Sequence, residues 1–408
     1  MSIGIVSITR YDQPAMSLKL LFLVTEDWYF WSHRLPIARA ALRNGYEVVV
    51  ATRVGACGQK IRDEGFRLIP LQLGRESYAP WNEFHAIREL LSIYRREQPD
   101  IVHHVALKPI LYGSIAALRR KDIRVINALA GLGYLVASSS VRARLLSRVV
   151  WGAFRFLLGR ANSRVLLQNE EDRQFAVTKL RVPEGKTTVI RGSGVDMELF
   201  QPMPEPAGVP VVLLSSRMLW NKGITEFVEA ARRLRHQGLE ARFVLAGDTD
   251  ASSPSGIPRR QLEDWQASGA VEWWGHRNDM IATLKQASLV CLPSHGGEGV
   301  PKALIEAAAS GRAIVTTDVP GCRDIVRQGI NGILVAPKDP VGLAHAIEEL
   351  LKDPARRQEM GRRGREIAVS EFSEETVVEQ TLALYREVLR QGAEAVDRGR
   401  RIPEVKEV

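Results

Sequence analysis

The sequence predicts an α/β molecule of two similar halves, each a parallel sheet flanked by helices. Three observations predict it. Short apolar runs alternate with helical patterns along nearly the whole chain, the rhythm of parallel strands joined by crossover helices. The rhythm pauses once, at 192–208, where GSGVD and LFQPMPEPAG concentrate Gly and Pro as an interdomain linker does, and then restarts. The 408 residues fit two or three domains of roughly 150 residues each.

The elements follow in order. Leu20–Thr25 reads as the first strand, and His33–Asn44 as a helix stopped by Gly45. Glu47–Thr52 is a strand, Cys57–Gly65 a helix, Arg67–Leu71 a strand and Glu83–Glu97 a long helix broken by Pro99-Asp100. Ile101–Val105, Val125–Ala128, Arg164–Gln168 and Thr188–Arg191 complete the strands of the first half. Past the linker, strands are expected at Val209–Ser215, Ala241–Ala246, Val271–Trp274, Leu289–Leu292, Arg312–Thr316 and Gly332–Val335. Helices are expected at Thr225–Gln237, Arg259–Ser268, Met280–Gln286, Val300–Ser310, Pro340–Leu351 and Pro354–Val369. A last helix runs from Ser373, a suitable N-cap, to Arg390, and the charged tail from Gly392 reads as disordered. The domains are then 17–195, 205–372 and a terminal helix 373–390. In sheets of this kind ligands bind outside the carboxyl ends of the strands, so the cleft between the two halves is the expected site.

Composition narrows the class. The apolar fraction of 45% is too high for a disordered chain. Three cysteines far apart (Cys57, Cys291, Cys322) exclude a disulfide framework and a cysteine zinc site, and fit a reducing compartment. No stretch is long and apolar enough to be read as a membrane span, and residues 1–15 lack the apolar core of a signal peptide. Met16, just ahead of the first strand, reads as the natural start, the alternative being that residues 1–15 form an extra edge strand. The net charge of +9 is uneven: residues 1–200 carry 29 Lys+Arg against 18 Asp+Glu, a net of +11, and the remainder a net of −2. The halves face different partners.

Two segments carry chemistry. In Ser294-His-Gly-Gly-Glu298-Gly299-Val300-Pro-Lys302-Ala-Leu-Ile-Glu306, a strand feeds a Gly-rich loop that opens a helix. The amides from Gly299 through Val300 to Lys302 form an anion site at the helix start, with Pro301 in the first turn. Glu298 and Glu306 suit hydroxyl groups, which donate to carboxylates. A phosphate flanked by two hydroxyl-binding acids describes a nucleotide sugar. In Ser215-Ser-Arg217-Met-Leu-Trp-Asn-Lys222-Gly223, Arg217 and Lys222 follow a strand and point to the same cleft, where they neutralise a diphosphate leaving group without a metal.

These segments, with Leu245-Ala-Gly247, Trp274-Gly275-His276-Arg277, Asp318-Val-Pro-Gly-Cys-Arg-Asp-Ile-Val326 and the linker Gly192-Ser-Gly-Val-Asp196-x3-Phe200-x-Pro202, resemble the retaining glycosyltransferases of family 4. The resemblance covers residues 17–390. It implies the GT-B fold: two Rossmann-like domains facing across a cleft, with the terminal helix crossing back onto the first. It implies that Arg217 and Lys222 bind the donor diphosphate, Glu306 the ribose hydroxyls and Glu298 the donor sugar, with Arg277 near the base. The resemblance further implies a front-face reaction with retention, in which the leaving phosphate takes the acceptor proton, and no required metal or other cofactor.

The first half is then the acceptor domain. The family often has a Gly-Gly pair after the first strand; here that loop is Thr25-Glu-Asp-Trp28-Tyr29-Phe30-Trp31-Ser-His33-Arg34, without glycine. Its aromatics shape an acceptor pocket, dip into lipid or pack on the core; Trp31 is assigned to the acceptor. The family places histidine at the end of the strand 101–105. His103 and His104 are adjacent and point to opposite faces, so one faces the site. His103 is favoured there as a catalytic residue, with His104 and Lys108 assigned to the acceptor. Residues 141–164 hold six Arg and no acid among Leu, Val, Trp and Phe, the pattern of a helix lying on an anionic membrane, or of a core helix with a solvated basic face. No nucleic-acid motif accompanies the charge. VHHVALKPILYG and NALAGLGYL look like enzymes of bacterial surface-polysaccharide and lipid-linked glycan assembly, which act on undecaprenyl-diphosphate acceptors at the cytoplasmic face of the membrane. The expected reaction moves a hexose or N-acetylhexosamine, from UDP rather than GDP, to such an acceptor. The alternatives are a nucleotide-sugar 2-epimerase on the same fold, a transferase with a soluble acceptor and a non-catalytic nucleotide-sugar-binding protein. The oligomeric state is left open.

Overall fold

The apolar run Leu20–Val24 has no polar face, so it suits only a strand covered on both sides. It becomes the centre of β1 (Lys19–Glu26), all but its first residue buried. The computed structural model describes residues 17–73, 80–129, 131, 141–250 and 253–400. β1 pairs in parallel with β2 (Glu47–Arg53) on one side and β4 (Ile101–Val105) on the other. β3 (Arg67–Pro70), β5 (Arg124–Ala128), β6 (Ser163–Leu167) and β7 (Thr187–Val189) extend a seven-stranded sheet of order β3-β2-β1-β4-β5-β6-β7. Alternate residues of β1 fill two cores. Leu20, Phe22 and Val24 meet one layer of helices, and Leu21 and Leu23 meet the other.

The helices of this half are α1 (Asp27–His33), α2 (Leu35–Arg43), α3 (Gly58–Asp63), α4 (Pro80–Glu97), α5 (Leu107–Ala116), α6 (Val141–Leu158) and α7 (Glu170–Thr178). The second half repeats the plan with β8 (Val211–Ser215), β9 (Arg242–Ala246), β10 (Glu272–Trp273), β11 (Leu289–Leu292), β12 (Ala313–Thr317) and β13 (Gly332–Val335), in the order β10-β9-β8-β11-β12-β13. Its helices are α8 (Ile224–His236), α9 (Arg259–Ala267), α10 (Met280–Lys285), α11 (Lys302–Ala309), α12 (Cys322–Ile325), α13 (Pro340–Lys352) and α14 (Pro354–Glu371). Both sheets have the doubly wound order, whose direction reverses between the first and fourth strands, here β1/β4 and β8/β11.

α15 (Glu374–Arg400) returns to the first half. The Val195 N–H donates to the Phe372 carbonyl at 3.1 Å and the Glu374 N–H to the Val195 carbonyl at 3.0 Å, so outgoing and returning chains cross together. Val377, Leu384, Tyr385 and Val388 then pack into the core of the first sheet.

Two expectations need correction. The helix expected over 33–44 is two helices, broken at Arg34. Pro36 lacks an N–H and its ring clashes with a preceding helical carbonyl, so the chain must leave the helix before it and restart. The aromatic segment 27–33 is therefore α1 rather than a loop. Of the tail from Gly392, residues 392–400 continue α15, carried by Ala and Glu, which favour helix, and residues 401–408 lie outside the described residues. Residues 1–15, on which the choice of Met16 rests, lie outside the described residues. Among the described residues, no helix is long and apolar enough to cross a membrane.

Candidate functional site

At the switch point of the second sheet, β8 ends at Ser215 and β11 at Leu292. After β8 the chain turns through Trp220–Lys222 into Gly223, which is left-handed (φ 72°). The Lys222 ammonium thereby pairs with the Glu298 carboxylate from the loop after β11. Ser294 Oγ donates to Glu298 Oε1 at 2.7 Å. Burial pushes the Glu298 carboxyl up, but the Lys222 charge and hydrogen bonds from Lys222 and Ser294 outweigh it and hold the group below its usual range. Burial raises the Glu306 carboxyl, on α11, against the opposing pull of Lys302, whose Nζ is 3.9 Å away. Arg217 is exposed and pairs with Asp250 at 2.7 Å. Arg277 is exposed, its guanidinium 5.1 Å from the Trp274 ring centre.

The helix expected from Val300 begins at Lys302, with Pro301 as its N-cap rather than inside its first turn. The Val300 N–H is engaged across the cleft, donating to Gln168 Oε1 at 2.9 Å. A Cβ at Gly299 would stand 1.8 Å from that oxygen, so a larger residue here would displace the Gln168 side chain and its bond to Val300. A Cβ at Gly131, whose φ is 96°, would stand 2.5 Å from the Gly297 carbonyl oxygen and 2.8 Å from the Glu298 backbone.

Opposite, the first sheet's switch point is occupied by α1. The Trp28 ring lies 5.9 Å from the Arg217 guanidinium. The Lys302 ammonium donates to the Ser32 carbonyl at 2.7 Å, joining the end of α1 to the start of α11. His33 stacks on Tyr29 with centroids 4.1 Å apart and planes 5° from parallel. Burial, then the charges of Lys302 and Arg34, lower its imidazole to about 3.

The histidines expected at the cleft are elsewhere. His103 and His104 do face opposite ways, but both lie inside the β4 ladder and are fully buried. His103 Nδ1 is 2.6 Å from the Tyr385 hydroxyl under α15, and His104 bonds the Tyr94 hydroxyl at 2.8 Å and Asn127 Oδ1 at 2.9 Å. Neither has surface for a ligand, because the strand continues beyond them and helices cover both faces. Lys108 pairs with Glu83 at 3.4 Å. Trp31 and Tyr29 both pack on the first core, Trp31 beneath the Lys60 ammonium, so the exposed aromatic beside Arg217 is Trp28, while Phe30 is fully buried. The structure thus gathers Lys222, Glu298, Ser294, Arg217, Lys302 and Glu306 against α1. His33 and Gln168 were given no role in the sequence, although each follows the carboxyl end of a strand; Trp28 was named there among the aromatics of the segment after the first strand.

Two family models match the chain: "Glycosyl transferase 4-like" over residues 19–163 and "Glycosyl transferases group 1" over 209–353. The chain belongs to the family 4 type of glycosyltransferases. It is 26% identical over 386 residues to the N,N'-diacetylbacillosaminyl-diphospho-undecaprenol alpha-1,3-N-acetylgalactosaminyltransferase of Campylobacter jejuni, covering 91% of this chain and 100% of that protein. It is 24% identical over 283 residues to the UDP-Gal:alpha-D-GlcNAc-diphosphoundecaprenol alpha-1,3-galactosyltransferase of Escherichia coli, covering 65% of this chain and 71% of that one. Among solved structures, Anabaena HepE in complex with UDP and glucose superposes with a TM-score of 0.74 at 19% identity, covering 90% of this glycosyltransferase and 99% of HepE. A glycosyltransferase from Rickettsia africae gives the same TM-score at 18% identity, over 92% and 99%. The GT-B fold implied by the sequence is the fold of the molecule.

Proposed function

We propose that this glycosyltransferase moves a hexose or N-acetylhexosamine from a UDP-sugar, with retention, to a polyprenyl-diphosphate-linked glycan acceptor. The observation that carries the reading is the Lys222–Glu298–Ser294 cluster at one switch point, facing α1 at the other. Residues 205–372 hold the donor and 17–195 the acceptor. Lys222 and Arg217 stabilise the diphosphate as it leaves, together with the amides at the start of α11; no residue role requires a metal. Glu298, kept ionised, accepts from sugar hydroxyls, and Glu306 from the ribose. The lipid-linked acceptors named for the Campylobacter and Escherichia relatives support the acceptor class.

The enzyme works at the cytoplasmic membrane surface. In the segment 141–164, side chains are described from Val150 on, and Phe154, Leu157 and Leu158 turn into the core, which leaves Arg155 and Phe156 outside. The outer face of α4 also suits an anionic interface: Trp81 is 76% and Phe84 51% exposed, followed by exposed Arg88, Arg95 and Arg96. The reading is tested by incubating the protein with a panel of UDP-sugars and short-chain polyprenyl-diphosphate monosaccharides, in EDTA, and following the lipid by mass spectrometry. One sugar added to the lipid is expected. Epimerised donor without glycosylated lipid would overturn it in favour of the isomerase.

A further inference from the structure

We propose that His33 positions the acceptor's attacking hydroxyl, accepting its hydrogen bond at Nε2. The inference rests on the acceptor reading of the first half. Hydrogen-bond accounting fixes the tautomer. Ser32 Oγ lies 2.8 Å from the Trp28 carbonyl, and a carbonyl only accepts, so the hydroxyl proton goes there. The short 2.6 Å contact between Ser32 Oγ and His33 Nδ1 then runs from the ring to the hydroxyl, which places the imidazole proton on Nδ1. Nε2 is left with a bare lone pair, the ring's hydrogen bonds being those to Ser32 Oγ and the Tyr29 carbonyl. The stack on Tyr29 fixes the ring plane.

The surroundings decide what that lone pair takes. Arg34, Lys302 and Arg217 stand around the ring, and with its burial they keep it uncharged across the working pH range. A neutral ring with a bare nitrogen accepts a hydrogen bond from a hydroxyl; it offers nothing to a phosphate oxygen, which is itself an acceptor. The same cations make it a poor base, so it orients the hydroxyl without taking its proton. The site is at the seam between the halves: the neighbouring Ser32 carbonyl receives the Lys302 ammonium from the first residue of α11, the helix that carries Glu306. A hydroxyl held from the α1 side reaches a donor held from the α11 side.

The test compares wild type, His33→Ala and His33→Gln in the full chain, with the donor and lipid acceptor found active for wild type. His33→Ala is expected to lower kcat/KM for the acceptor at least tenfold while UDP affinity, by calorimetry, stays within twofold. His33→Gln, whose side-chain oxygen accepts a hydrogen bond, recovers part of the loss. Unchanged acceptor kinetics, a parallel loss of UDP affinity, or no recovery with Gln would overturn the inference. Wild type failing to glycosylate any polyprenyl-diphosphate acceptor would instead overturn the reading of function on which it rests.

Discussion

Burial takes the His104 imidazole down to about 4, and burial with neighbouring cations takes His33 to about 3 and His103 well below its ordinary 6.5. All three stay neutral in the native state where the unfolded chain would be protonated. Their contribution to stability is therefore complete above about pH 6.5 and is lost progressively as the pH falls below it. Proton-detected titration of the imidazole carbons checks this directly: these three resonances should not move between pH 8 and pH 5, and a midpoint near 6.5 for any of them would contradict the assignment. The positions of Arg217, Lys222 and Glu298 were legible in the sequence because each stands within seven residues of a strand end, with Glu306 on the helix that follows, and the strands are local apolar runs. Arg217, Lys222, Glu298 and Glu306 needed no knowledge of distant partners to be placed there. His103 could not be judged that way. Its partner Tyr385 lies 282 residues along the chain, and only the returning helix brings the two together.

At the scale of elements, the strands were readable and one short helix was not. The segment after β1 has no glycine, and its aromatics fit a loop, a pocket or the core equally well. Asp27 decides the matter by accepting from the Gly55 and Cys57 amides at 2.6 and 2.9 Å, which pins the start of α1, while Pro36 forces its end. Those contacts cross between strands and leave no periodic signature. The consequence is that the histidine at the cleft is His33 and not His103. The crossing helix was legible in its start and face but not in its length. Its hold on the first sheet includes the Tyr385–His103 bond, both members fully buried. Tyr385→Phe keeps the ring and strands the His103 nitrogen, so it should lower the unfolding free energy by about 1–3 kcal/mol in urea titration. A variant as stable as wild type would show that the bond contributes nothing.

Across the whole molecule, the two sheets share one topology and present their switch points to each other. Contacts that join the two halves at the cleft include Lys302 to Ser32 and Val300 to Gln168. The charge asymmetry noted in the sequence, +11 before residue 200 and −2 after, divides along the same line. The outer face of α4 gives the basic half a surface with two exposed aromatics and three exposed arginines. Flotation with vesicles of phosphatidylglycerol should retain wild type at low salt and release it as salt rises, and Trp81→Ala with Phe84→Ala should weaken retention several-fold. Equal retention on neutral phosphatidylcholine, or no effect of the double substitution, would show that α4 does not meet an anionic membrane.

On the proposed function, a diphosphate is held between the switch points by Lys222 and the start of α11. Calorimetric titration of UDP into wild type and Lys222→Ala, in EDTA, tests it most directly. UDP is expected to bind without added metal, and losing Lys222 to weaken binding at least tenfold, about 1.4 kcal/mol. UDP binding to the two proteins with equal affinity would contradict it.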